Sequence, residues 1–184
     1  MDHDWTDLGA TLDRAWDLLS AATAARETQA RLVTLATISA SGPEARSVVL
    51  RSANRAAASV RIFTDSRSCK ITEAQADPRA SILHWNEGAA FQIRLRGNLS
   101  VQTGPEVDDD WAALNDLARL SYAGPGPGLP IGGPGPRPLA GERKAFAVLT
   151  MSVSEMDVVW LGPDLHTRAV YRETDGWAGT WLSP

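Results

Sequence analysis

Two rhythms of apolar and polar residues divide the chain. Over residues 4–26, Trp5, Leu8, Leu12, Ala15 and Leu19 recur at helical spacing, while Asp7, Asp13 and Arg14 fall off that stripe. This predicts an amphipathic helix with Asp4 as its N-cap. From residue 31 the pattern changes. Residues 31–40 are rich in Leu, Val, Thr and Ile and end at Ser41-Gly42-Pro43-Glu44, a turn signal. Residues 45–52, centred on Val48-Val49-Leu50, and residues 60–64 read as second and third strands. Ser68 is placed to cap a short helix over residues 69–76, which Asp77-Pro78 terminates. Residues 79–85 and 90–101 predict a hairpin across Asn86-Glu87-Gly88-Ala89, with Gly97 marking a bulge or tight bend. Thr103 and Glu106 have the spacing of a capping box. They open a helix with Val107, Trp111, Leu114 and Leu117 on one face. Strands follow at 144–153, 155–161, 165–172 and 177–182, the last two joined as a tight hairpin through Glu173-Thr174-Asp175-Gly176.

Residues 123–141 stand apart, because 13 of these 19 positions are Gly or Pro. Such a segment is a lid, a binding loop or disordered rather than regular structure. Seven or eight strands with only short helices between them predict antiparallel pairing, and closure into a barrel removes the exposed strand edges. The expectation is a mainly β single domain over residues 1–184, with flanking helices. Within it, residues 1–28 form an N-terminal helix segment and residues 123–141 a Gly/Pro-rich loop.

Composition narrows the function. At 184 residues the chain has room for one ordinary domain. The net charge of −4 opposes general nucleic-acid binding, which needs a basic field. Cys69 is the single cysteine, so neither an intrachain disulfide nor a cysteine-rich metal cluster can form, and three scattered histidines make a weak metal case. An acidic start without an apolar core, and no apolar run near the roughly 20 residues that span a bilayer, lead to the expectation of a cytoplasmic protein with neither membrane nor nucleic-acid partners. Sixteen of the eighteen basic residues are arginine, the better bidentate binder of phosphate and carboxylate; a GC-rich genome accounts for the same bias.

Four groups of residues carry candidate chemistry. Arg46 and Arg51 flank Ser47-Val48-Val49-Leu50, and their odd spacing puts them on opposite faces of a flat strand. Both can serve one ligand only where that strand bends or the ligand lies along its end; otherwise they are solvated strand arginines. In Thr64-Asp65-Ser66-Arg67-Ser68-Cys69-Lys70 a strand passes through a polar turn into a helix start, where free backbone N–H groups favour an anion. Lys70 in the first turn opposes the helix dipole unless an anion offsets it. Gln92, Arg94 and Arg96 share one strand face, either solvated or the polar floor of a ligand site. Trp160, His166 and Arg168 form a fourth group, with His166 the one weak catalytic candidate. No GxSxG, HExxH, Walker loop or GxGxxG in a strand-to-helix setting is present.

Taken in order, these groups resemble the pyridoxamine 5′-phosphate oxidase-like family of FMN-binding split barrels, from about residue 31 to 184 with a gap through the Gly/Pro loop. Arg46-Ser47-Val48-Val49-Leu50-Arg51 is similar to the family's Arg-x-x-Leu-Leu-Lys strand, with arginine for the final lysine. Phe63-Thr64-Asp65-Ser66-Arg67-Ser68-Cys69-Lys70 resembles its Tyr-Thr-Asn-x-x-Ser-Arg-Lys turn, with Phe63 for tyrosine and Cys69 for arginine. Asp77-Pro78-Arg79-Ala80, Gln92, Trp160, Arg168 and the closing Trp181-Leu182-Ser183-Pro184 match further family positions. The resemblance implies an antiparallel split barrel that is homodimeric, with two FMN molecules at the interface, each held by both chains. Arg46, Arg51, Ser68 and Lys70 would gather about the phosphate, with Cys69 beside them. Thr64, next to Phe63, would lie near the ribityl chain or ring, and Gln92 would bond the ring's polar edge. Trp160 and Arg168 would approach from the C-terminal segment. The oxidases also carry Arg-x-His before the last arginine, where this chain has Asp164-Leu165-His166. A carboxylate there repels a phosphorylated substrate. The expected function is therefore an FMN-dependent oxidoreductase with an unidentified small substrate. The alternatives are a non-catalytic flavin sensor or carrier, and a haem-binding relative on the same barrel.

Overall fold

The computed structural model describes residues 4–25, 29–135 and 140–184. Eight strands and four α-helices follow one another: α1 (Leu8–Ala24), β1 (Leu32–Ser39), β2 (Gly42–Asn54), β3 (Ser59–Asp65), α2 (Cys69–Ala76), β4 (Arg79–Asn86), β5 (Phe91–Gln102), α3 (Asp108–Ala112), α4 (Asp116–Arg119), β6 (Phe146–Leu161), β7 (His166–Arg172) and β8 (Thr180–Leu182). All pairings are antiparallel. The sheet order is β3-β2-β1-β4-β5-β6-β7-β8, and an additional β3–β6 pairing closes the first six strands into a barrel. β7 and β8 extend the sheet beyond that closure.

The alternation of the sequence becomes the two faces of the wall. Val33, Leu35, Val48, Leu50, Val60, Ile62, Ile82, Ile93, Leu95 and Leu149 point inward into one core. α1 closes the end where β2 finishes, its buried face being Leu12, Ala15, Trp16, Leu19 and Ala22. Tyr171 anchors it by donating to the Leu8 carbonyl at 2.8 Å. α2 lies at the other end, beside the C-terminus of β1. A second small core gathers Val107, Leu114, Tyr122 and Val148 around Phe146.

Several elements differ from the sequence expectation. The cap of α1 is Asp7, whose side chain accepts from the Ala10 amide, whereas Asp4 accepts from Thr6 in the preceding turn. Residues 1–3 and 26–28 of the predicted N-terminal segment lie outside the described residues. The helix predicted from Thr103 is a 3₁₀ turn (Gly104–Val107) followed by two short helices; Thr103 makes no side-chain cap, and Leu117 is exposed. Residues 144–153 and 155–161 do not form two strands but one, β6, bulged at Ser154 opposite Arg96 and Gly97. Gly97 is needed there, since a Cβ would lie 1.9 Å from the Ser152 carbonyl oxygen. β7 and β8 are joined not by a two-residue hairpin but by a 3₁₀ turn, with Gly176 at φ 65° and Trp177 at φ 64°.

Candidate functional site

The first constellation forms at the α2 end of the barrel. β2 runs with Arg46, Val48 and Leu50 on the inward face until Arg51, which is the extra residue of a bulge: Leu50 pairs with Ile62, and Ser52 with the next residue back, Arg61. A bulge re-aims the side chains that follow it. The two arginines nonetheless lie on opposite sides of the strand. Arg46 reaches in under α2, while the Arg51 guanidinium lies over the Phe63 ring, 5.3 Å from its centroid.

Arg46 is not free. It donates to the buried Glu73 carboxylate at 2.8 Å and to the Thr37 hydroxyl, and Thr37 itself donates to Glu73 at 2.5 Å. Glu73 faces inward because the helical period of α2 sets it beside Ile71 and Ala74, the buried positions. Lys70 sits one turn earlier. Its ammonium donates to Thr64 Oγ1 at 3.1 Å, and Thr64 and Ser68 hydroxyls stand 3.3 Å apart. Burial, followed by repulsion from Arg46, lowers the Lys70 pKa below that of an ordinary lysine, with Glu73 and Asp65 opposing. Ser68 is the N-cap residue of α2, but its side chain does not cap the helix and donates instead to the Asp65 carbonyl at 2.7 Å. The sequence-predicted side-chain cap is therefore absent, which leaves the helix start open. Asp65 is occupied by Arg67: burial works against its ionisation, but bonds from Arg67 outweigh this and hold the carboxylate below its usual range. Arg67 also donates to the Gly124 carbonyl at 2.9 Å, tying the start of the Gly/Pro loop over this end of the barrel. Cys69 is exposed, and its sulfur lies under Gly128 of that loop.

On the outer side of the same strands, Arg51 shares its surroundings with Tyr122 and Arg31. Burial pushes the Tyr122 hydroxyl up to about 12. The Nε atoms of Arg51 and Arg31 are both buried and without a hydrogen-bond partner. A buried donor left unmade costs about 1–3 kcal/mol, more for a charged group. Lys70 and Arg46 share Glu73, and the neighbouring Asp65 is already occupied by Arg67. The donor set, the surplus positive charge and the orphaned guanidinium nitrogens fit a phosphate-bearing ligand such as FMN. Ser47 and Val49 face outward, whereas Val48 and Leu50 are core residues with only backbone to offer a ligand.

The second constellation lies on the outer face of β5, β6 and β7. Gln92 pairs in register with Val159, and Val159 with Arg168. Asp157 is buried beneath Arg94 and Arg168: Arg168 Nε and a terminal nitrogen donate to its two oxygens at 3.1 and 2.9 Å, and Arg94 donates to it as well. Burial alone would raise the Asp157 pKa, yet its bond from Arg168 and the charge of Arg94 bring it below the usual value. Trp160 does not join this face. It turns inward and stacks on Trp5 with ring centroids 4.7 Å apart, its own ring filling the space that a side chain at Gly162 would need. His166 is exposed at the start of β7, and Asp164 is exposed in the turn before it. Among the described residues, no hydrogen bond, ion pair or ring contact joins the two constellations, and no group of three or more His, Cys, Asp or Glu could hold a metal ion.

Sequence reasoning missed Glu73, Thr37, Asp157 and Tyr122. For Glu73 the helical period of residues 69–76 held the signal. Asp157 fell within a predicted strand of alternating apolar residues, where an inward-paired carboxylate leaves no local mark. His84 was also missed: it is buried in β4, where its ring lies against the Leu32 backbone.

A six-stranded antiparallel barrel bearing a cationic, phosphate-fitting rim defines the class as a flavin-binding split barrel. Residues 13–103 match the family model described as pyridoxamine 5′-phosphate oxidase, FMN-binding domain. A curated pyridoxine/pyridoxamine 5′-phosphate oxidase from Ruegeria sp. (strain TM1040) is 34% identical over 109 residues, 58% of this chain and 52% of that protein. The chain thus spans about half the length of that relative. Among solved structures, a pyridoxamine 5′-phosphate oxidase-related, FMN binding protein from Nostoc punctiforme PCC 73102 superposes with a TM-score of 0.72 at 26% identity, covering 84% of this chain and 88% of that one. PhzG from Burkholderia lata 383, in complex with tetrahydrophenazine-1-carboxylic acid, shares the fold with a TM-score of 0.71 at 23% identity, covering 96% and 92%. Over residues 13–103 the chain matches that family's FMN-binding domain, and it shares the split-barrel fold of the Nostoc protein. No helix among the described residues is long and apolar enough to cross a membrane.

Proposed function

We propose that this protein is an FMN-dependent oxidoreductase that works as a homodimer on a small substrate lacking a phosphate. The observation that carries the cofactor reading is the Lys70–Thr64–Ser68 group beside Arg46 at the start of α2. Lys70, Arg46 and the opening of α2 would hold the phosphate, and Arg51 over Phe63 would border it. When bound, FMN supplies hydride or electron transfer; the protein supplies position, charge and exclusion of water. Gln92 and Arg168 lie too far round the barrel to join that patch in one chain. A second copy bringing its β5–β7 face to the first would complete each site from both subunits. The substrate reading rests on Asp164, a carboxylate in the exposed turn preceding His166, which disfavours a phosphorylated molecule by like-charge repulsion.

Purified protein tests this directly. Yellow colour with stoichiometric FMN, a dimeric mass, and bleaching by a nicotinamide or amine donor are expected, with little turnover of pyridoxamine 5′-phosphate. Failure of the wild type to take up FMN would remove the cofactor reading. A bound flavin that no donor reduces would favour a carrier or sensor instead.

A further inference from the structure

Under α2, three side chains from three elements close a ring of hydrogen bonds. Thr37 of β1 donates to Glu73 Oε2 at 2.5 Å. Arg46 of β2 donates to the same oxygen through Nη2 at 2.8 Å, and through Nη1 to the Thr37 hydroxyl. Thr37 is 2% exposed and the Glu73 side chain 9%. Both terminal nitrogens of Arg46 are thereby pinned, which fixes the plane of the guanidinium, and none of the three bonds uses Nε. The ring is open on one side, since Arg46 and Glu73 line a cleft of about 620 Å³ between the β1–β2 turn and α2.

Fold stability alone does not call for this arrangement. Glu73 stands with Ile71 and Ala74 among the buried positions of α2. An apolar side chain there avoids the desolvation of a carboxylate, and a buried ion pair commonly adds little over such a replacement. Nor does the charge help to hold an anion. With Asp65 taken by Arg67, the carboxylate that Lys70 and Arg46 share is Glu73, and it repels a phosphate. What a carboxylate at 73 does supply is a rigid acceptor for a long side chain. An unrestrained arginine loses its rotamer freedom on gripping a ligand, whereas one already held loses little.

We propose that Glu73, tied to Thr37, is a positioning residue that holds Arg46 ready for the FMN phosphate and touches no ligand itself. The orientation it gives Arg46 outweighs its own repulsion of the phosphate. This deepens the reading of the Lys70–Arg46 end as the cofactor's phosphate site, on which it rests.

The probes are FMN and riboflavin, read by flavin fluorescence, and inorganic phosphate, read by calorimetry. Glu73→Gln and Glu73→Leu both remove the charge, but Gln alone keeps an acceptor for Arg46 and Thr37. The ratio between these two variants therefore reads orientation and not charge. FMN is expected to bind Glu73→Gln about tenfold or more tightly than Glu73→Leu, the scale of a charged hydrogen bond, while riboflavin, which lacks the phosphate, binds both alike. Thr37→Val keeps the volume and the carboxylate but opens the ring, and is expected to weaken FMN about threefold or more with riboflavin unchanged. A Glu73 that serves the fold alone would lower the urea midpoint of Glu73→Leu and leave FMN affinity equal in the two variants, which overturns the proposal. An equal loss for riboflavin overturns it too. Where Glu73→Leu does not fold, Thr37→Val decides: unchanged FMN affinity in that variant overturns the proposal. A wild type that takes up no FMN removes the cofactor reading, and inorganic phosphate then decides the positioning role. Phosphate bound more weakly by Thr37→Val than by the wild type upholds that role, and no phosphate binding by the wild type removes it as well.

Discussion

The Lys70 ammonium donates to the Thr64 hydroxyl at 3.1 Å, and Arg46, two strands away in sequence, repels it from the other side. A lysine held this way is a cation waiting for a counter-charge. Its proton is released below the ordinary pKa of 10.5, because burial and then Arg46 disfavour the charged form. As pH rises toward 10.5 the phosphate of FMN stays a dianion, so its affinity should fall as Lys70 is neutralised. Titration of FMN over that rise is expected to show weakening in the wild type and a flat profile in Lys70→Met. At pH 7, Lys70→Met should weaken FMN binding by about 1.5–3 kcal/mol, the scale of a charged hydrogen bond.

Arg46→Ala should weaken FMN similarly, by about 1.5–3 kcal/mol, but with a second effect that Lys70→Met lacks. It strands the Glu73 carboxylate, only 9% exposed, with Thr37 as its remaining partner. Breaking a buried pair costs about 3–5 kcal/mol, and the exposure of Arg46 places this one at the lower end. Urea denaturation of the apoprotein should show the loss, and Arg46→Ala combined with Glu73→Gln should recover most of it while FMN stays weak. Full stability in the single variant would show that the pair contributes nothing.

His84 makes the fold sensitive to acid. Burial lowers its pKa, so protonation favours the unfolded chain, where the value is 6.5. For a base with a lowered folded pKa, stability is complete above 6.5 and declines as pH falls below it, by up to about 1.4 kcal/mol per unit until the folded group also titrates. His84→Leu should remove the decline between pH 6.5 and 5. Chemical denaturation at several pH values reads the effect.

Gly97→Ala should be among the most damaging single-methyl changes. The added carbon meets the Ser152 carbonyl oxygen at 1.9 Å, and that atom is backbone in the strand that closes the barrel. Relieving the overlap means displacing β6 from β5, with a loss of about 2–3 kcal/mol. Gly132→Ala, with open space around it, serves as the control and should leave the midpoint unchanged.

The sequence pattern reveals the barrel well and the site in pieces. α2 is found to the residue, and β1 to β5 within a few positions, because each is bounded by Gly, Pro or a capping side chain that acts locally. β6 is split at Ser154 because a bulge leaves a polar residue where the alternation slips. The odd spacing of Arg46 and Arg51 is legible, since the structure does set them on opposite sides of the strand. The Thr103 capping box fails because Pro105 lies in the first turn and the segment must bend round Phe146, so tertiary packing overrides the local signal. Trp160 follows Met156 and Val158 onto the inward face by simple alternation, opposite to the face that carries Gln92 and Arg168. The partners of Asp157 and Glu73 are invisible because a buried ion pair joins residues far apart in sequence: 11 and 63 positions separate Asp157 from Arg168 and Arg94, and 27 separate Glu73 from Arg46.

The two constellations never touch within one chain, and in the two-copy arrangement proposed above this has a genetic corollary. A strain carrying only Lys70→Met and a strain carrying only Arg168→Ala would each make protein with every pocket damaged. Expressed together, the two defective polypeptides would form mixed pairs in which both lesions fall on the same pocket, so the other regains a full complement of contacts. Two inactive alleles would then rescue one another, with about half of one pair's capacity restored.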